Sequence, residues 1–250
     1  MTTTSQTMPV NSVAENVLGT MGTVCWTIQM IPQIWKSWRT KSTQGLSHWL
    51  VLVWGCAASF LGAYTIILEL NIPLIVQPQL FGFLALVSWG QCQYYGNAQP
   101  KRRKRAILLA LVVMLLVGAL EVMLVFAVGP SYRNNTESGK RAVQFLGIIS
   151  SVLISLALIP QYGEIYRLKE VVGISIAFMV VDALGGVFSD LSLVFRDKFD
   201  VIAAITYSLV VVLDGFVLLL ALILNPRAEK RRQRLALLAI GTPPSTANRQ

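Results

Sequence analysis

Apolar residues occur along the chain in seven blocks of about 20, separated by short polar or basic stretches. A bilayer-spanning helix needs about 20 mostly apolar residues, so each block is long enough to cross a membrane. The pattern predicts seven transmembrane helices, at residues 14–34, 47–68, 74–95, 106–128, 142–162, 174–195 and 201–224. The short alternating segments typical of an outer-membrane barrel are absent from the sequence.

The composition agrees with a helical membrane protein, since 54% of the residues are hydrophobic and 13% are charged. These values exclude a soluble globular enzyme, a disordered chain and a coiled coil. The first 16 residues contain no Lys or Arg, so we expect no cleavable signal peptide. Cys25, Cys56 and Cys92 fall in separate apolar segments, and the sequence therefore predicts no disulfide framework, no metal site and no cofactor.

The net charge of +9 would suggest a nucleic-acid partner in a soluble protein. Here the basic residues lie between the apolar blocks, so they report membrane topology, and the expected partner is the lipid bilayer rather than nucleic acid. The loops and termini on one side of the membrane carry 16 Lys and Arg, and those on the other side carry 5. Binding of anionic lipid headgroups is an alternative role for the clusters at 101–105 and 227–234.

This imbalance predicts that the N-terminus (1–13) and the loop at 129–141 are luminal. The basic loop at 96–105 and the basic tail at 225–250 are then cytosolic. Asn134 begins an Asn-Asn-Thr glycosylation sequon in the predicted luminal loop, which agrees with this orientation.

The sequence contains an internal repeat. Residues 25–66 align without gaps on 153–194, at an offset of 128 and with 9 identities. Three helices per repeat is an odd number, so one extra helix between the repeats makes them parallel. We therefore predict two three-helix bundles, 14–95 and 142–224, joined by the linker helix at 106–128. Parallel repeats of this kind are a transporter architecture.

Both repeats contain a Pro-Gln pair, Pro32-Gln33 and Pro160-Gln161. A helical Pro frees the backbone carbonyl four residues earlier, here that of Ile28 and that of Leu156, so we expect a kink in each first helix. Gln33 and Gln161 are placed to bond the freed carbonyls or to hold water. These kinks are either hinges of a moving part or a consequence of packing alone.

These pairs, each followed by Gly-x-Ser, resemble the PQ-loop family. That family includes cystinosin, vacuolar and lysosomal cationic amino-acid transporters and, distantly, the SWEET sugar transporters. Residues 41–47 and 91–95 are similar to the cationic amino-acid branch, and 182–189 with Asp214 is similar to cystinosin. The resemblance implies that the latter segments line a substrate and proton pathway, and that the protein is vacuolar or lysosomal.

Acidic residues within predicted spans are costly and usually functional. Asp182 and Asp214 fall near the midplane, and we expect them to bind protons or substrate, with a structural hydrogen bond as the alternative. Asp190 is a candidate for the luminal mouth of the pathway. We expect a structural role for Glu121.

Gly185 and Gly186 would permit close helix packing or expose a cavity wall. Trp54 occupies the repeat position equivalent to Asp182, where it could cap a cationic ligand or pack against lipid.

The sequence favours a transporter that moves a cationic or cystine-like amino acid with protons. The chain has Gly55-Cys56 where the cationic branch has Gly-Asp, and Gln77 and Gln79 near the position of cystinosin's acid. These departures leave two alternatives, a non-transporting membrane regulator or receptor and a sugar carrier. We expect no enzymatic activity, because the aspartates lack the sequence context of intramembrane proteases. The sequence makes no prediction of the oligomeric state.

Overall fold

In the computed structural model, residues 11–69, 72–96, 100–195 and 201–241 are described. Their helices are α1 (Ser12–Ile28), α2 (Met30–Thr40), α3 (His48–Ile67), α4 (Ile72–Tyr95), α5 (Pro100–Arg133), α6 (Glu137–Leu156), α7 (Leu158–Leu168), α8 (Ile176–Val194) and α9 (Val201–Gly241). With α1 and α2 taken as one interrupted helix, and α6 and α7 as another, they match the seven predicted spans.

Five segments in the described part of the chain are long and apolar enough to cross a membrane on their own, and they lie in α3, α5, α6 with α7, α8 and α9. The first span is less apolar because α2 carries Lys36 and Arg39 on one side. Trp35, Trp38 and Trp49 are exposed at the α2–α3 end. Exposed tryptophans are typical of the membrane–water interface, and these three indicate the depth of that end.

The two helix breaks occur where the prolines predict them. α1 ends at Ile28 and α6 ends at Leu156, in each case four residues before a Pro. Each partner helix restarts within two residues, so the break changes the direction of one span rather than ending it. The backbone N–H groups of Gln29 and Ala157 at the breaks still donate to carbonyls four residues back.

The two repeats pack against each other through equivalent helices. α1 of the first repeat packs on α8 of the second, and α6 of the second packs on α3 of the first. The linker helix α5 packs on α3, α4 and α6, outside this interface. The buried core lies between the repeats and includes the side chains of Met30, Leu50, Trp54, Ile174, Phe178 and Met179.

The helices are longer than predicted at three places. The linker helix covers Pro100–Arg133 rather than 106–128, because Pro suits a first helical position and the following Lys and Arg favour helix. Most of the predicted loop at 129–141 is helical. Asn134 is exposed in the short turn at 134–136, where the Thr136 hydroxyl caps α6 by accepting from the Gly139 N–H at 3.1 Å.

The third difference is the tail, which we expected to leave the helix at 225. Instead α9 continues to Gly241, although Pro226 lies inside it. Arg, Lys, Gln, Leu and Ala in this extension are good helix formers. The predicted N-terminal segment 1–10 and the end of the tail, 242–250, lie outside the described residues.

Candidate functional site

The glutamine of each Pro-Gln pair binds the loop of the opposite repeat. Gln33 on α2 is buried, and its Nε2 donates to the Gly173 carbonyl at 3.2 Å. Its Oε1 accepts from the Ser175 N–H at 2.5 Å. Gly173 and Ser175 lie in the loop between α7 and α8, at 169–175, which we call the second loop.

The second repeat makes the reciprocal contacts. Gln161 on α7 donates from Nε2 to the Gly45 carbonyl at 2.8 Å and accepts from the Ser47 N–H at 2.8 Å. Gly45 and Ser47 belong to the equivalent first loop, at 41–47, between α2 and α3. The sequence placed Gln33 and Gln161 to bond the carbonyls freed by Pro32 and Pro160 or to hold water. The structure does not show bonds to those carbonyls. The two glutamines satisfy buried backbone groups across the repeat interface.

The two loops touch at their glycines. Gly45 has a φ of +83°, a backbone conformation that favours glycine. A Cβ on Gly173 would overlap the backbone of Gly45 and Leu46. Ser47 and Ser175 then cap α3 and α8. These requirements explain why Gly-x-Ser follows each Pro-Gln pair. We call Gln33, Gly45, Ser47, Gln161, Gly173 and Ser175 the PQ clamp.

Lys36 adds a contact that has no counterpart in the other repeat. Its ammonium group donates to the carbonyls of Val172 and Ile174, the latter at 2.5 Å. The repeat-equivalent position is occupied by Glu164. The second loop is therefore held to the first repeat more firmly than the first loop is held to the second.

Asp182 on α8 and Asp214 on α9 are buried, with 5% and 0% of their surface exposed. Their carboxyl groups lie close enough to interact electrostatically. Neither carboxyl oxygen of Asp214 accepts a hydrogen bond from a described residue. The structure thus brings together the two aspartates that the sequence placed near the midplane.

Aromatic side chains from the broken helices bond the backbone at or beside both aspartates. The Trp26 indole on α1 donates to the Asp182 carbonyl at 3.2 Å. The Tyr162 hydroxyl on α7 donates to the Leu213 carbonyl, next to Asp214, at 2.6 Å. We did not single out Trp26 or Tyr162 from the sequence, because their contacts are 156 and 51 residues away.

The two glycines after Asp182 serve close packing on different neighbours. A Cβ on Gly185 would meet the Trp26 ring at 2.5 Å. A Cβ on Gly186 would meet the Val211 side chain on α9 at 2.6 Å. The pair therefore lets both α1 and α9 approach α8 at the level of the aspartates.

Trp54 lies in the core between the repeats, and Asp190 lies beside Ser208. The Trp54 ring packs in the core against Phe81 and Phe178, with centroids 5.8 and 5.5 Å apart, and its N–H donates to the Ile154 carbonyl at 2.9 Å. The indole that contacts Asp182 is Trp26, and Trp54 does not face lipid. Asp190 lies two turns beyond Asp182 on α8 and accepts from the Ser208 hydroxyl at 2.9 Å.

Glu121 contacts the first repeat rather than the aspartates. Its carboxyl group accepts a hydrogen bond from the Gln79 amide on α4. A Cβ on Gly62 of α3 would overlap both side chains. This three-helix contact ties the linker helix to the first bundle, which agrees with the structural role we expected.

Comparisons with known proteins identify the family. The PQ loop repeat family matches residues 14–74 and 142–202. An uncharacterized protein of Schizosaccharomyces pombe is 41% identical over 215 residues, which cover 86% of this chain and 74% of that protein.

Two more distant relatives have descriptive names. The vacuolar lysine transporter YPQ1 of Saccharomyces cerevisiae is 28% identical over 90 residues, covering 35% of this chain and 29% of that protein. Cystinosin of Drosophila melanogaster is 24% identical over 200 residues, covering 71% of this chain and 48% of that protein.

A solved structure of a eukaryotic SWEET transporter shares the fold, with a TM-score of 0.56 at 14% identity. The match covers 86% of this chain and 98% of the SWEET chain. The fold is therefore the arrangement of two three-helix bundles and one linker helix that the sequence predicts. Together with the repeat and its paired glutamines, these matches show that the chain is a multi-pass membrane protein of the PQ-loop repeat family.

Proposed function

We propose that this protein transports a cationic or cystine-like amino acid together with protons, from an acidic organelle to the cytosol. The observation that carries the proposal is the pair of buried carboxyl groups, Asp182 and Asp214, at the meeting of α8 and α9. The names of two relatives, a vacuolar lysine transporter and cystinosin, support the same substrate class.

Electrostatics gives this pair a function in transport. Two carboxylates held close together in a membrane interior repel each other when both are charged, and each charge is costly there. A proton on one carboxyl, or a substrate ammonium group between them, relieves that repulsion. The pair can therefore hold a proton on one carboxyl group while the other, as a carboxylate, binds a substrate ammonium group, and cotransport requires that both are bound together.

Transport also requires a change of conformation, because both aspartates are shielded from solvent in this one. The PQ clamp closes one end of the repeat interface. The breaks at Pro32 and Pro160 are the hinges we propose, since a helix segment beyond a break can tilt without unfolding the rest. Rocking of the two bundles would then open either end in turn.

The proposed orientation puts the PQ clamp and the C-terminus in the cytosol, and the N-terminus and Asn134 in the lumen. The count of Lys and Arg, 16 on the proposed cytosolic side of the membrane and 5 on the proposed luminal side, supports this orientation. A vacuolar or lysosomal membrane is the proposed compartment. Glycosylation of Asn134 remains a prediction of this orientation.

Uptake into liposomes tests the proposal. The purified full chain is reconstituted with the acid side outside, and labelled lysine, arginine, cystine and neutral amino acids are supplied. We expect uptake that depends on the pH gradient and that falls at least about tenfold in Asp182→Asn and in Asp214→Asn, since each loses a charge that binds the proton or substrate.

Glu137→Gln is the matched control, because it makes the same chemical change on an exposed side chain at the start of α6. It should transport like the unaltered chain. Uptake that survives both aspartate substitutions would refute the assigned site. Folded protein that moves no amino acid would refute the proposed substrate class and favour a sugar carrier or a non-transporting regulator.

A further inference from the structure

Tyr162 lies between the PQ clamp and the aspartate pair. It follows Gln161 directly on α7, beyond the break at Ala157, so both side chains belong to one short helix. Gln161 binds the first loop, and the Tyr162 hydroxyl binds the carbonyl of Leu213 on α9. Movement of α7 therefore changes both contacts together.

The phenol has one O–H donor, and in this conformation the Leu213 carbonyl accepts it. The carboxyl group of Asp214 is within electrostatic reach of the same phenol but does not accept its proton, and its carboxyl neighbour is Asp182. The ring is held beside Phe216, with the centroids 5.8 Å apart. The phenol, a donor that could reach Asp214, is thus bound one residue away.

The first repeat lacks this arrangement. Tyr162 corresponds to Ile34, and if the offset of 128 is extended to the last helix of each repeat, Asp214 corresponds to Leu86. In the first repeat the last helix is the donor, since the Gln91 side chain on α4 donates to the Ile34 carbonyl on α2 at 3.2 Å. The phenol occurs in the repeat that contains the acid.

We propose that Tyr162 is a positioning residue that couples the PQ clamp to the charge of Asp214. With the clamp closed, its hydroxyl stays on the Leu213 carbonyl, and Asp214 receives no hydrogen bond from it. When Gln161 leaves the first loop, α7 moves and the hydroxyl donates to the Asp214 carboxylate instead. A donated hydrogen bond stabilises the charged form. Asp214 then releases its proton to water at the clamp end.

This inference rests on the proposed function only for its biological consequence, since proton release at the clamp end would couple opening to transport. The titratable groups that meet Asp214 from neighbouring helices, among the residues described, are Asp182 on α8 and Tyr162 on α7. Asp182 is unchanged in the clamp and phenol variants, so the same interacting pair titrates in each of them and only the clamp or the phenol differs.

Infrared difference spectroscopy of the full chain in lipid nanodiscs tests the coupling without any substrate. The carbonyl band of protonated Asp214 is identified by its loss in Asp214→Asn, and its midpoint is followed as pH changes. Gln161→Leu removes half of the clamp. We expect it to move the midpoint down by about one pH unit, a tenfold change, because a hydrogen bond to a charged group has at least that effect.

Adding Tyr162→Phe to Gln161→Leu should cancel this shift, since the ring remains and the donor is gone. Tyr166→Phe, on the same helix but 75% exposed, is the matched control and should leave the shift in place. If Gln161→Leu does not fold, Gln161→Asn, whose side chain is one methylene shorter, withdraws the same two contacts. A shift that persists without the phenol would overturn the proposal.

The outcomes separate this inference from the proposed function. A phenol-dependent shift in a protein that transports no amino acid would support the coupling and refute the transport proposal. Amino-acid uptake by a protein whose Asp214 midpoint does not change on substitution of Gln161 or Tyr162 would support the transport proposal and refute the coupling.

Discussion

Gly173 is the residue at which the two loops of the PQ clamp approach most closely. A side chain there has no room, because its Cβ would overlap the backbone of Gly45 and Leu46 rather than a flexible side-chain end. Gly173→Ala should therefore lower the free energy of unfolding by about 1–3 kcal/mol, the usual cost of overpacking. Thermal unfolding in detergent measures this change.

Gly163→Ala makes the same chemical change on α7, where a Cβ would meet nothing within 4 Å. It should be neutral or stabilise the protein by up to about 1 kcal/mol, because Ala favours helix over Gly. Equal melting temperatures for the two variants would contradict the close approach of the loops.

At the same scale, the sequence identified the residues of the clamp but not their partners. Pro32, Gln33 and Gly45 were conspicuous because the repeat duplicates them at the same spacing. Spacing along a chain cannot show that Gln33 binds a loop 140 residues away. For the same reason it could not distinguish Trp54, in the core, from Trp26, which contacts Asp182.

Among the elements, helix breaks were predictable and helix ends were less so. A Pro within a helix acts on the carbonyl four residues earlier, so sequence alone places the ends of α1 and α6. The end of α9 depends on contacts outside the membrane. Its extension beyond 224 begins with a polar and basic stretch at 225–234 that includes Pro226, and this stretch does not distinguish a continuing helix from a loop.

The extension of α9 holds the second loop from the side opposite to the first repeat. The Asn225 amide donates to the Val171 carbonyl at 3.0 Å and accepts from the Val171 N–H at 2.8 Å. Arg232 makes an ion pair with Glu170, in which Nη1 donates to both carboxylate oxygens at 2.7 Å. The loop that carries Gly173 and Ser175 is thus fixed between α2 and α9.

Asn225→Ala should weaken this attachment more than Arg232→Gln. Loss of the amide leaves both backbone groups of the buried Val171 unpaired, at a cost of about 1–3 kcal/mol. The Arg232 side chain is 59% exposed, and an exposed ion pair contributes only about 0–1 kcal/mol. Hydrogen exchange at the Val171 amide should accelerate strongly in the first variant and little in the second. The opposite order would show that the ion pair holds the loop.

Across the whole molecule, two nearly equivalent interfaces join repeats that differ in their chemistry. Trp26 on α1 bonds the Asp182 carbonyl of α8, and Trp54 on α3 bonds the Ile154 carbonyl of α6. The offset of 128 makes Trp26 equivalent to Ile154, and Trp54 equivalent to Asp182. One interface therefore pairs a tryptophan with an acid, and the other pairs a tryptophan with an apolar residue. The pseudosymmetry gives the two interfaces equivalent helix contacts. Asp182, at which the repeats differ, gives one interface a carboxyl group.

A rocking mechanism requires α1 and α8 to separate at the end opposite the PQ clamp. There the Asn11 N–H donates to the Phe195 carbonyl at 3.1 Å, and a Cβ on Gly19 would lie 3.8 Å from the Cβ of Ser192. That separation is typical of a disulfide. In a chain whose three native cysteines are replaced by Ala, Gly19→Cys with Ser192→Cys should cross-link under mild oxidation.

The cross-link should abolish amino-acid uptake in liposomes, because the two bundles can no longer part at that end, and a reductant should restore it. Gly19→Cys alone controls for the added side chain and should transport before and after oxidation. Uptake at the full rate by fully cross-linked protein would mean that substrate enters without separation of α1 from α8. The hinges at Pro32 and Pro160 would then have to move helices other than this pair.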